Sequence, residues 1–304
     1  MKITIGITAY NRDRLLIRAL NSVLKQTYKN FEVIIGNDYI HKKIDKNKLN
    51  IFDKRIRIYN HKINLGENKN MNFLLNKSKS KWFTWLADDD YMEPNFLMKL
   101  IKNIEKSNYK KNVVASYSNY RRIIKGKNKK KFRTGVFNYN HQEFVNKYLT
   151  QEIRLIGVYG IMNKKILKKI RKNQNVGSPL RVNGKSTGVY AYTDFLLPIM
   201  LSKYGQILWD ERKLVNVDIT NDAISFLTND YLSYFSSQNY VAKKLNRFLK
   251  SKIINISSLN MFADRVFYHK AILLKRSDNL IFEDFVIYIK YSLNFYKTLT
   301  NKIN

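Results

Sequence analysis

KWFTWLADDDYMEP, residues 81–94, sets an apolar run directly against three consecutive carboxylates. Lys81–Ala87 has the composition of a buried strand, and Asp88, Asp89 and Asp90 follow where that strand ends. Adjacent carboxylates at the end of a buried strand repel one another. A divalent cation relieves that repulsion, and Mg²⁺ or Mn²⁺ prefers one or two carboxylates completed by phosphate oxygens and water. The plainer role for the run is an acidic cap on the next helix, expected to open at Glu93-Pro94 with proline in its favoured first turn.

The flanking sequence alternates strand and helix. Ile3–Thr8 is a first strand, Phe31–Gly36 a second, Arg55–Tyr59 a third and Val113–Ser118 a fifth. Arg12–Gln26 carries Leu15, Leu16, Ala19, Leu20, Val23 and Leu24 at helical spacing, and Asn64–Lys77 is a second helix after a turn at Gly66. This order predicts an α/β fold with a mostly parallel central sheet and helices on both faces. Such sheets bind ligands at the carboxyl ends of their strands. Thr8–Arg12, Asp38 and Asp88–Asp90 follow strands one, two and four, so they are expected to converge on one crevice. Taken singly they say less: Asn11 suits a helix cap, and Asp38 suits either a base N–H or a turn. Trp82 and Trp85 are expected to line the two faces of strand four.

The chain has 304 residues, 44% of them hydrophobic, which fits one large α/β domain with a smaller helical appendage. Cysteine is absent, excluding disulfides and thiolate metal sites. The net charge is +33, which suits either an anionic partner or a lysine-rich bias spread over every solvated face. Lys2 leads straight into Ile3–Ile7 and no run of 18 apolar residues occurs. The expectation is therefore a cytoplasmic protein, or one held peripherally on the inner face of the membrane. Gly184-Lys185-Ser186-Thr187 is no phosphate loop, because Pro179 stands where its first glycine belongs. His41, His61, His141 and His269 show no ligand spacing.

Three segments, ITIGITAYNRDRLLIRALNSVLKQTYKNFEVIIGND (3–38), NLGENKNMN (64–72) and KWFTWLADDDYMEP (81–94), together resemble the family-2 inverting glycosyltransferases of the GT-A fold in order, spacing and strand context. The resemblance is good over residues 1–120 and weaker to 220. It implies a catalytic domain over 1–228, with a nucleotide-sugar half over 1–120 and an acceptor half over 121–228, followed by a basic helical extension over 229–304. It also implies transfer of a sugar from a nucleotide-sugar, UDP-linked, to a glycan or lipid-linked acceptor of surface polysaccharide biosynthesis, assisted by Mn²⁺ or Mg²⁺.

Carried over by position, the resemblance puts Thr8, Ala9, Tyr10 and Arg12 in the first nucleotide-binding loop. Asp38 is the base-reading aspartate, and Lys69 and Asn72 are further nucleotide contacts. Asp88 meets ribose or metal and Asp90 the metal, with Asp89 a competitor for either role. Asp194 is the general base opening a helix beside the acceptor; a plain first-turn aspartate is its alternative. The chain departs from the family in three places. Gly36-Asn37-Asp38-Tyr39 replaces two aspartates followed by glycine and serine. Met71 replaces a frequent arginine, and a late metal-binding histidine is missing near Val217–Ser225, where Asp218 or Asp222 is the available substitute.

Elsewhere, Lys125–Lys131 reads as an exposed basic loop, Gln174–Gly188 as a mobile loop near the acceptor, and Asp194–Leu201 as a helix. From Asn229 onward the chain is basic and helical. Val241, Leu245, Phe248 and Leu249 form one stripe, and Ile281, Phe285, Ile289, Leu293 and Tyr296 another. Those stripes suit packing on the catalytic domain or a second subunit, or peripheral docking on an anionic membrane. Three other classes stand against this reading. A basic nucleic-acid-binding protein would carry a recognisable motif that is absent here. A nucleotidyltransferase would carry a glycine-rich basic loop after strand one. A catalytically inactive relative would bind no UDP with metal.

Overall fold

The computed structural model describes residues 1–47, 50–108, 110–123, 135–171, 179–182, 185–187, 190, 192–218 and scattered positions between 237 and 247. The first half runs β1 (Ile3–Ala9), α1 (Asp13–Leu24), β2 (Phe31–Asn37), β3 (Ile56–Asn60), α2 (Glu67–Lys77) and β4 (Trp82–Ala87). It continues through β5 (Tyr91–Met92), α3 (Phe96–Lys106) and β6 (Val113–Ile123). The second half runs β7 (Val136–Tyr139), α4 (His141–Leu149), β8 (Gly160–Asn163), α5 (Lys164–Arg171), β9 (Arg181–Val182), β10 (Lys185–Ser186), α6 (Thr193–Ser202) and β11 (Gln206–Asp218).

The main sheet has nine strands, in the order β3-β2-β1-β4-β8-β6-β11-β5, with β7 paired to β11. Strands β3, β2, β1 and β4 run parallel; α1 crosses from β1 to β2 and α2 from β3 to β4, while β2 reaches β3 without a helix. Antiparallel β8 then links β4 to β6, and β6 runs parallel to β11. β11 escapes a sequence reading because Asp210–Lys213 interrupts its apolar run, and its register against β6 slips at those residues. The short hairpin of β9 and β10 lies in the stretch expected to be loop.

Helices cover both faces. Leu16, Ala19, Leu20 and Val23 of α1 and Leu97, Leu100, Ile101 and Ile104 of α3 are buried on one face with Trp82 and Leu86. On the other face Trp85 donates its Nε1–H to the Met71 carbonyl of α2, so the two tryptophans do face opposite ways. Each fully buried leucine or isoleucine contributes roughly 1.5–3 kcal/mol. At Gly36, α2 sits almost on the strand: Asn70 Nδ2 donates to the Gly36 carbonyl at 2.9 Å, and a Cβ there would lie 2.1 Å from Asn70 Oδ1.

Pro94 was expected inside the first turn of the third helix, but α3 begins at Phe96, after Asn95. The preceding backbone is taken by the sheet. Met92 pairs with Val215 and the Glu93 N–H donates to the Leu214 carbonyl; Pro94 then lies in a single turn closed by Phe96 N–H on the Glu93 carbonyl, and the α-helical bonds begin with Lys99 N–H on Asn95.

The chain divides into two compact units. One holds residues 1–141, 154–173 and 197–220; the other holds 142–153, 174–196 and 221–304. Of the basic C-terminal segment only a few positions are described: Val241 and Leu245 are buried, while Lys243 and Arg247 are exposed, as the amphipathic pattern requires. Lys125–Lys131, most of Gln174–Gly188, Asp222 and the Ile281–Tyr296 stripe lie outside the described residues. Among the described residues no helix is long and apolar enough to cross a membrane.

Candidate active site

Register alone brings the predicted residues together. Ala9 of β1 pairs with Asn37 of β2, and Thr8 pairs with Ala87 of β4. The next residues on the three strands are therefore neighbours along one rim: Tyr10, Asp38 and Asp88. Asp38 N–H donates to the Ala9 carbonyl at 3.0 Å, and Tyr10 N–H donates to Asp88 Oδ2 at 3.0 Å. Asn11 then takes a left-handed conformation, φ 51°, which asparagine tolerates better than most side chains. That turn throws Arg12 back across the rim.

Arg12 spans the acidic run. One guanidinium nitrogen donates to Asp89 Oδ2 at 2.7 Å and another to Asp88 Oδ1. Burial disfavours the Arg12 charge, but Asp88 and Asp89 outweigh it and its pKa is raised. Asp88 is 1% exposed. Burial pushes its carboxyl up to about 6, despite Arg12 and the Tyr10 N–H pulling it down. Asp90 is pushed to about 7, by burial first and the neighbouring Asp89 charge second. Its two oxygens accept the Tyr159 hydroxyl and, at 2.9 Å, the Asp218 N–H.

Asp38 is buried, and its carboxylate accepts the Leu65 N–H at 2.7 Å from the turn that leads into α2. Tyr10 stands half exposed with the Tyr39 ring 5.3 Å away, edge to face. Thr8, Ala9, Tyr10, Arg12, Asp38, Asp88, Asp89 and Asp90 thus share one rim. Lys69 and Asn72 lie on α2, beside that rim. Lys69 is exposed, and Asn72 accepts a bond from Arg171 at 2.8 Å. Met71, at the position of the frequent family arginine, is buried; the guanidinium beside Asn72 comes instead from α5.

Asp194 belongs to the second compact unit, where it opens α6. Its side chain is open to solvent and accepts the Phe195 N–H at 2.9 Å. Just before it, Tyr192 holds a left-handed conformation, φ 64°, a strain found more often at functional sites than elsewhere.

Among the described residues no three His, Cys, Asp or Glu side chains converge as a ready-made metal cage. The donor set still fits a hard cation. Asp90 is a buried carboxyl whose charge Tyr159, the Asp218 N–H and Arg18 offset only in part, and Mg²⁺ or Mn²⁺ needs only one or two such ligands beside phosphate and water. Asp218, weighed as a late ligand, is tied to Arg18 at 2.6 Å.

The sequence reading missed Tyr159, Arg18, Tyr39 and Arg171. Arg18 donates to Asp218 and to the Asp89 carbonyl, joining α1, the acidic run and the end of β11. Its place on the helix that Arg12 precedes was the only available signal. Tyr159 sits in an irregular stretch with no motif around it.

Residues 4–171 match the sequence profile of glycosyl transferase family 2. An uncharacterized glycosyltransferase of Rickettsia bellii is 36% identical over 141 residues, 46% of this chain and 20% of that protein. The putative colanic acid biosynthesis glycosyl transferase WcaA of Escherichia coli is 33% identical over 97 residues, 31% of this chain and 35% of that protein. The chain thus spans well under half the length of these curated relatives. The crystal structure of S. aureus TarS 1–349 in complex with UDP-GlcNAc superposes with a TM-score of 0.66 at 13% identity, covering 99% of this chain and 82% of that one. The mannosyltransferase PcManGT of Pyrobaculum calidifontis, in complex with GDP-Man and Mn²⁺, gives a TM-score of 0.51 at 11% identity, over 99% and 87%. The fold is that of the GT-A glycosyltransferases.

Proposed function

Since the chain belongs to glycosyl transferase family 2, we propose that it is an inverting, metal-assisted enzyme that moves a sugar from a UDP-linked donor to a glycan or lipid-linked acceptor in surface polysaccharide biosynthesis. The observation that carries this reading is the single rim joining the Tyr10 loop, Asp38 and Asp88–Asp90. Tyr10 and Tyr39 offer aromatic surface for a base, and Asp38 offers a buried acceptor for a base N–H. Support for the donor class comes from TarS, whose structure holds UDP-GlcNAc, and for the metal from PcManGT, whose structure holds Mn²⁺. Support for the polysaccharide role comes from the description of WcaA.

In this reading Asp90 holds the cation, with Asp88 beside it on metal or ribose and Asp89 the competitor for either place. When bound, the cation supplies positive charge to offset that of the departing diphosphate. Arg12 keeps Asp88 and Asp89 from repelling the donor, and Thr8, Ala9, Lys69 and Asn72 line its path. Asp194 takes the proton of the acceptor hydroxyl. The new anomeric C–O bond forms as the bond to the diphosphate oxygen breaks on the opposite side, which inverts the anomeric centre. Catalysis is assigned to residues 1–228, and the basic segment 229–304 to packing on the catalytic domain or a second subunit, or to docking on an anionic membrane.

The test is calorimetric titration of the purified protein with UDP and GDP, with Mn²⁺ or EDTA, followed by a panel of nucleotide-sugars scored for transfer or hydrolysis. UDP binding that depends on Mn²⁺ is expected. No binding of any nucleotide-sugar under either condition would sink the proposal.

A further inference from the structure

Arg171 closes α5 against the first turns of α2, and it is only 4% exposed. Amide oxygens hold it. Nε donates to Asn72 Oδ1 at 2.8 Å; a terminal nitrogen donates to the Asn68 carbonyl at 3.3 Å and to Asn68 Oδ1. The guanidinium also lies 5.4 Å from the Trp85 ring centre. Its other terminal nitrogen is buried without a partner. Burial drags its pKa down to about 10, with Glu67 opposing only in part.

Stability alone is a poor reason for this arrangement. A guanidinium taken out of water without a carboxylate partner is costly, and an apolar side chain fills such a space at least as well. What the guanidinium does uniquely is fix orientation. It has donors and no acceptor, so both amides must turn their oxygens toward it. Their Nδ2 groups must then point away, and among the described residues neither Nδ2 finds an acceptor. The same helix is joined to the rim, because the Leu65 N–H just ahead of it holds the Asp38 carboxylate.

We infer that Arg171 is a positioning residue, locking the Asn68 and Asn72 amides so that their Nδ2 groups donate to oxygen atoms of the bound nucleotide-sugar. The inference rests on the donor reading above and adds to it a residue that no motif marks. Arg171 itself, shut off from solvent, touches no ligand.

Two variants test it, the first being Asn72→Asp. The new carboxylate would pair with Arg171, holding or raising the melting temperature, but it has no Nδ2 to give the donor. Orientation locking therefore predicts unimpaired stability with Kd for a UDP-sugar raised about tenfold, the loss of one good hydrogen bond. Arg171→Met should weaken UDP-sugar binding similarly by freeing both amides. If Arg171 were merely structural, Arg171→Met would lower the melting temperature yet bind a UDP-sugar as tightly as wild type. That outcome overturns the inference and leaves the donor reading intact. Wild-type protein that binds no nucleotide-sugar overturns both. Should Arg171→Met fail to fold, Arg171→Lys keeps the charge but loses the planar hold on the two amides, and wild-type affinity in that variant overturns the inference.

Discussion

Tyr159 donates its hydroxyl hydrogen to the carboxylate of Asp90, 69 residues earlier in the chain, in a spot where both side chains are buried. The bond fixes the rotation of a carboxylate that would otherwise turn freely, and the Asp218 N–H fixes its second oxygen. Groups of this kind set the affinity of a ligand they never touch. Replacing Tyr159 by Phe should therefore leave the fold intact and weaken Mn²⁺ binding about tenfold. Titration of Mn²⁺ followed by electron paramagnetic resonance reads this directly. Unchanged affinity would show that the Tyr159 bond does not orient a metal ligand.

Asp90→Ala and Asp194→Ala should each reduce sugar transfer by about a thousandfold, within the range of lost metal assistance or lost base catalysis. Their binding behaviour should differ. Asp90→Ala should lose Mn²⁺-dependent UDP binding, whereas Asp194→Ala should keep it. Full turnover in both would remove these residues from the chemistry.

Metal-free protein should show an inverted pH response at Asp90. Its folded pKa, about 7, lies above the ordinary carboxylate value, so the folded state favours the protonated form. The stability this gives is complete below about pH 4 and is lost as pH rises through 7. At pH 8 in EDTA, Asp90→Asn should be more stable than wild type by about 2 kcal/mol, a discounted share of the shift. The difference should vanish near pH 4. Urea denaturation at the two pH values tests it, and equal gaps at both would show that Asp90 is not desolvated.

Arg12→Ala would leave Asp88 and Asp89 facing each other with their shared cation gone. Arg12 is partly solvated, so the cost should be about 2 kcal/mol, below that of a fully buried pair. Arg12→Lys should recover only part, because a single ammonium cannot reproduce the two-pronged contact. Chemical denaturation of the three proteins orders them.

Gly36→Ala should destabilise the protein by about 2 kcal/mol, because its Cβ would collide with the buried Asn70 amide. Asn70 also contacts His61 at 3.0 Å, so the collision would disturb the approach to α2. A melting temperature equal to wild type would mean that Asn70 has room to move.

The parallel half of the sheet was legible because its strands are short, mainly apolar or alternating runs, and helices of clear period follow the first and third of them. Phe31–Gly36 and Lys81–Ala87 permit no other reading, and register then carries Asp38 and Asp88 to one edge. β11 was hidden by the charges at its centre, and β5 by being two residues long. The start of α3 fell two residues late because proline propensity is local, while the pairing of Met92 with Val215 that keeps the preceding chain extended is not.

By itself the sequence determined the α/β alternation and the polar residues at the strand ends, since apolar periodicity and chain connectivity act over short separations. Tertiary structure alone decided which groups surround those residues: Tyr159 on Asp90, Arg12 across Asp88 and Asp89, and Arg171 on Asn68 and Asn72. Those contacts join segments far apart in the chain. Their strength comes from exclusion of water, which exists only once the sheet and its helices have closed around them.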